Sequence, residues 1–194
     1  MEIPKSAEIF EWLSKGNFIS ANAVNSDIRN YYHILEENFD NLQALYQQVG
    51  FSLEAGNNYF YLSKINESRQ TIETKLEKAR RWIDLMAFFT TFNQGFTRGF
   101  RFSPNDILQQ VELNLDLKEK LEAFMLKNKK TDNYRDALDE MLRQMSGEGF
   151  IELENSLSQT YKVLDAYHYL EQMVRGIFIA EAEEEHDQNE QNQS

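Results

Sequence analysis

From Ile28 the apolar positions fall at Ile28, Tyr31, Leu35, Phe39, Leu42, Leu45 or Tyr46, and Val49. This spacing predicts one amphipathic helix of six turns. Ser26 or Asp27 is placed to cap it. Gly50 is placed to end it, because glycine readily takes the left-handed conformation found at helix ends. The period then switches to two. Phe51 and Leu53, a Gly56-Asn57-Asn58 turn, and Tyr59 and Tyr61 flanked by Phe60 and Leu62 predict a β-hairpin turning at 55–58. The same order recurs later in the chain. A helical pattern carrying Tyr134, Leu138, Met141, Leu142 and Met145 closes on Ser146-Gly147-Glu148-Gly149. Phe150, Ile151 and Leu153 then predict one strand, and Tyr161, Val163 and Leu164 the next.

The remaining pattern is mostly helical. Ser6 caps a short helix through Lys15, with Ile9, Phe10 and Leu13 on one face, and Asn17-Phe18-Ile19-Ser20 reads as a short extended piece. A helix starting at Asn66 or Ser68 presents Ile72, Leu76, Ala79, Ile83, Met86 and Thr90 on one face, until 92–102 breaks it. Ser103-Pro104-Asn105-Asp106 is a strong start for helices over 104–113 and 116–127. A final helix is expected over about 165–180, followed by an acidic, Gln/Asn-rich tail at 181–194 that is expected to be disordered. The fold class is mostly α with short β-hairpins (α+β), read as tandem winged-helix domains over 1–64 and 65–180. A two-stranded ribbon is marginal alone, so each hairpin must cover the helix it leaves.

Charge narrows the partners. The chain has 194 residues and a net charge of -12. Six acids between Glu181 and Glu190 account for half of that, and no cation lies among them. Bulk attraction to nucleic acid is therefore not expected, and any DNA contact must be local. The absence of cysteine removes disulfides and thiolate chemistry and fits a reducing compartment. The first residues carry no secretory pattern, and the longest apolar run is far too short for a membrane span, so a cytoplasmic protein is expected.

Candidate chemistry is sparse. The histidines are His33, His168 and His186. Asp165 and His168 share a helix face, half of a dimetal motif whose second copy is absent. No nucleotide loop or nucleophile elbow occurs. The expectation is a protein without catalytic, cofactor or metal site. In 95–102, Phe96, Arg98, Phe100 and Arg101 alternate as a docking surface for another protein would, or as a core strand with arginines facing water. Lys127, Lys129, Lys130, Arg135 and Arg143 form the only cationic cluster in the second half and are the candidate contacts to a DNA backbone. Asp136, Asp139 and Glu140 on the same helix oppose its insertion into a groove. Tyr31, Tyr32, Phe39 and Tyr46 exceed what one face of a single helix needs, which predicts a protein–protein surface such as a homodimer interface.

The segments IFEWLSKGNFIS, YYHILEENFDNLQALYQQVGFSLEAGNNYFYLSK and ALDEMLRQMSGEGFIELENSLSQTYKVL, with the acidic tail, resemble MukE and the related MksE subunits of bacterial condensins. The resemblance covers nearly the whole chain and rests on the Gly-Phe-x-Leu wing and the ordered layout. It implies a non-enzymatic homodimeric subunit. Such a subunit binds a kleisin and, through it, an SMC-type ATPase, near the nucleoid, with weak DNA contact inside the complex. The acidic residues beside Arg135 and Arg143 depart from the basic edge of that family. The layout is also compatible with a winged-helix DNA-binding transcriptional regulator, whose binding would weaken steeply with salt.

Overall fold

The computed structural model describes residues 3–66, 69–128 and 131–176, without the side chains of 69–76. The first half runs α1 (Ser6–Ser14), β1 (Ile19–Ser20), α2 (Ser26–Glu37), α3 (Phe39–Gln47), β2 (Phe51–Ala55) and β3 (Tyr59–Lys64). The second runs α4 (Arg69–Phe92), β4 (Arg101–Phe102), α5 (Pro104–Leu113), α6 (Leu115–Lys127), α7 (Tyr134–Gly147), β5 (Ile151–Asn155) and β6 (Thr160–Val163). A helical stretch, α8, covers 167–176. The α+β class expected from the pattern is what the chain adopts. The acidic tail, and with it the expectation of disorder, lies outside the described residues.

Each half holds a three-stranded antiparallel sheet of the same design. The orders are β1-β3-β2 and β4-β6-β5, so the second strand of each hairpin is central and the short early strand closes its far side. The hairpins form where the period-two patterns predict them. Asn58 sits at φ 66 in the first turn and Gln159 at φ 51 in the second.

Three features of α2, α3 and α4 depart from the expected pattern. The six-turn helix is broken at Asn38. That residue adopts φ -124 and ψ 24, and its side-chain amide donates to the carbonyl of Ile34 at 2.9 Å. An asparagine that bonds back to the preceding turn competes with the regular ladder. The cap of α2 is also one residue earlier than expected, at Asn25, whose side chain accepts from the N–H groups of Asp27 and Ile28. On α4 the buried stripe is Ala79, Trp82, Leu85, Phe89 and Phe92 with Phe88, whereas Ile83 and Met86 are half-buried and Thr90 is exposed. Apolar residues nearly encircle this helix, so periodicity does not select the face and the large rings take it.

Two apolar clusters result. One lies within the first half, around Ile9, Leu13, Leu35, Leu42, Tyr46 and Leu53. The other, around Phe88, Phe89, Leu121, Met141 and Tyr167, belongs to the second half but also takes in Phe18 and Tyr59 from the first. Through these two rings the halves share a core.

Candidate protein-interaction surface

The surface between the halves starts at the turn after β1. Val24 and Asn25 donate their backbone N–H groups to the two carboxylate oxygens of Glu152, at 2.6 and 3.0 Å. Glu152 thus places negative charge at the N-terminus of α2, where the helix dipole favours it. Asn22 is held three ways. Lys162 Nζ donates to its carbonyl at 2.8 Å, its Oδ1 accepts the Asp165 N–H at 2.8 Å, and its Nδ2 donates to the Val163 carbonyl at 3.4 Å. Ser20 Oγ accepts the N–H of Ala166 at 3.1 Å. Asp165 is buried here, and that burial raises its carboxyl above the usual range, against lowering contributions from the Asn22 N–H and the charges of Arg98 and Lys162.

Beside this polar seam lies an aromatic joint. Phe18 packs on Phe150 and Tyr169, each with ring centres 5.0 Å apart, and Tyr61 meets Tyr169 at the same distance. Phe18, Tyr61, Trp82, Phe150, Tyr169 and Met173 line a groove of about 280 Å³. Lys78 and Glu148 pair at 2.8 Å on its wall. Burial pushes the Tyr61 hydroxyl up to about 12, so it stays protonated at neutral pH.

A second groove, also about 280 Å³, lies between α1 and α3 and is lined by Ala7, Phe10, Leu45, Tyr46 and Val49. Leu45 and Val49 are exposed there, at 46% and 59%. Of the aromatic residues named from the pattern, Tyr46 and Tyr32 are buried in the first core, and Tyr31 and Phe39 pack against it half-buried. Tyr46 donates to the carbonyl of Ser6 at 3.3 Å, and burial raises its hydroxyl to about 12. The break at Asn38 lets α2 and α3 each turn an aromatic side chain inward.

In the segment 95–102, only 101–102 is strand. Phe96 and Phe102 are buried, with ring centres 5.2 Å apart, and Phe100 is half-buried between them and solvent. Arg98 and Arg101 are exposed. Arg101 forms a two-pronged pair with Glu154 across the second sheet, which raises the guanidinium and lowers the carboxyl, the hydrogen bond being the largest cause of each.

The described members of the cationic cluster each have a partner of their own. Lys127 pairs with Asp84, and Arg143 with Glu140 one turn away. Arg135 donates to the neutral Asn105 Oδ1 at 2.9 Å and keeps its charge uncompensated by that contact. Lys129 and Lys130 lie outside the described residues. Of the half motif, the His168 imidazole meets Gln172 and the Asp165 carboxyl meets Asn22. Among the described residues no three or more histidine or carboxylate side chains gather as a metal site would need. No described helix is long and apolar enough to cross a membrane.

Pattern reading missed Phe18, Asn22, Trp82, Glu152 and Tyr169 as a joint. Periodicity is a local signal, and the seam bonds join residues 127 to 146 positions apart. The one visible trace is Phe18, a large ring in a piece too short to bury it against its own half.

No curated protein matches the sequence. The family model for condensin complex protein MksE matches residues 4–174, which spans both sheets, the seam and both grooves. The chain belongs to the MksE family of condensin complex proteins.

Proposed function

We propose that this chain is a non-enzymatic, dimeric subunit of an SMC–kleisin complex, built from two winged-helix units over 1–64 and 65–180. It binds the kleisin and supports chromosome organisation and segregation in the nucleoid. The observation that carries this reading is the MksE match across 4–174. The repeated order of helices, short strand and hairpin, with two sheets of one design, supports the division into units. The groove between α1 and α3 supports protein contact, because Leu45 and Val49 stand exposed beside the half-buried Phe10. In this reading DNA is touched weakly and only inside the assembly. Asp84 and Glu140 already face Lys127 and Arg143, so among the described candidates Arg135 is left to release counterions from a phosphate backbone.

The test is co-purification. The full chain is expected to run as a dimer and to retain the kleisin encoded beside it through size-exclusion chromatography. The isolated chain is expected to hold duplex DNA only weakly, and less as salt rises. A monomer that ignores the kleisin, or tight sequence-selective duplex binding by the chain alone, overturns the reading.

A further inference from the structure

In the first sheet the far side of β3 is only half covered. β1 is two residues long and pairs Ile19 with Phe60 and Ser20 with Tyr59. Residues before it leave the sheet. Asn17 donates its side-chain amide to the Trp12 carbonyl at 3.2 Å, and Trp12 Nε1 donates to the Phe18 carbonyl at 3.0 Å, so both residues are tied to α1. β3 nevertheless runs on to Lys64.

The register says which groups are left over. Gly56 donates its N–H to the Tyr59 carbonyl, and Ile65 donates to the Gly50 carbonyl. In an antiparallel ladder bonded and non-bonded pairs alternate. Tyr61 and Ser63 therefore point their backbone groups at β2, and Leu62 and Lys64 point theirs the other way, past the end of β1. Among the described residues these have no backbone partner. The second sheet supplies the contrast. There the residues before β4 continue the pairing, with the Val163 N–H donating to the Phe100 carbonyl at 2.9 Å and the Gly99 N–H donating to the Val163 carbonyl at 2.8 Å. Among the described residues the chain closes one sheet edge itself and leaves the matching edge of the other open.

Three further features lie on this edge. Tyr61, Leu62 and Ser63 form one wall of the aromatic groove, which has room for a large apolar side chain. Tyr61 faces the joint, whereas Leu62 packs on the first core, so a strand added at this edge would turn alternate side chains into the groove. Lys64 is exposed at the end of β3, with no ion pair among the described residues.

The geometry points to the open edge of β3 as a strand-docking site. It takes one extended segment of the partner subunit, which pairs with the backbone of Leu62 and Lys64, places an apolar side chain in the groove beside Tyr61, and sets a carboxylate opposite Lys64. Unpaired main-chain groups two residues apart select an extended backbone over a helix. This inference rests on the reading of the chain as a kleisin-binding subunit and specifies where and in what conformation the partner lies.

Amide hydrogen exchange of the full chain, alone and with the purified kleisin, tests it. The amides of Leu62 and Lys64 are expected to slow by about tenfold or more in the complex, as newly bonded strand amides do. Leu62→Pro removes an N–H that serves no internal ladder bond, and Lys64→Glu reverses the charge without touching the backbone. Each is expected to weaken the complex about tenfold, a loss of about 1.4 kcal/mol. Lys64→Glu keeps the test open should Leu62→Pro fail to fold. A complex that forms with unchanged exchange at both amides and unchanged affinity for Lys64→Glu overturns the docking site and leaves the kleisin reading standing. Failure of any complex to form overturns both. Protection of these amides in the isolated chain that disappears on removing 177–194 assigns the edge to this chain's own C-terminus and overturns the partner assignment.

Discussion

Asp165 shows how a single side chain reports on the joint between the halves. It is 7% exposed, it follows β6, and its charged form is opposed by burial more than it is supported by the Asn22 N–H, Arg98 and Lys162. Its folded-state pKa is therefore raised above the ordinary 3.8. The native protein then binds the proton more tightly than the unfolded chain. This contribution to stability is full below the unfolded pKa of roughly 4 and is lost as pH rises through the folded value. Asp165→Asn, which stays neutral and can still accept from Asn22, is expected to remove that loss. Denaturant midpoints measured from pH 4 to 7 should fall less with rising pH in the variant than in the parent. Parallel curves for the two proteins would show that the carboxyl titrates alike in both states. Asp165 was legible in the sequence only as half of a metal motif. Its actual neighbour, Asn22, lies 143 residues away, beyond the reach of any spacing rule.

At the scale of elements, the hairpins were the most legible parts, because turn chemistry is local. The caps were legible only in part: Ser6 is the first residue of α1, whose cap position is Lys5 without a side-chain bond, and α2 is capped by Asn25. Gly50, the Gly56-Asn57-Asn58 turn and Ser103-Pro104 all act near where the pattern puts them. The break at Asn38 was not legible, since Leu35, Phe39, Leu42 and Tyr46 keep helical spacing straight through it. The aromatic rings at 31–46 are shared by two short helices rather than one, and half of them are core. The first hairpin carries a constraint of its own. A Cβ on Gly56 would stand 2.0 Å from Cζ of Tyr59, and that ring reaches from the hairpin into the shared core, 5.9 Å from Phe18. Gly56→Ala is expected to displace the ring and to destabilise the fold by about 1–3 kcal/mol, the usual range for forced overpacking. Gly147→Ala, where the added methyl meets nothing within 4 Å, is the control and should change stability little. Equal midpoints for both variants in urea would mean that the Tyr59 ring yields without cost.

Across the whole molecule, the seam decides whether the halves behave as one body. Phe18 and Tyr59 put first-half rings into the second core, and Glu152 and Asn22 exchange hydrogen bonds with the opposite half. Each such bond contributes about 1 kcal/mol net, and a buried ring about 2–3 kcal/mol. Together these are comparable to the stability of a small domain. Neither core should therefore melt without disturbing the other, and calorimetry of the full chain is expected to show one transition. Glu152→Ala removes the acceptor for two N–H groups at the start of α2 and should cost about 1–2 kcal/mol, as loss of a helix cap does. Phe18→Ala should cost about 3–5 kcal/mol and, combined with Glu152→Ala, should separate the melting of the first half from that of the second. Two transitions already present in the unaltered chain would show that the seam orients the halves without coupling them. One transition persisting in the double variant would move the coupling to Tyr59 and the Asn22 bonds, which both substitutions leave in place.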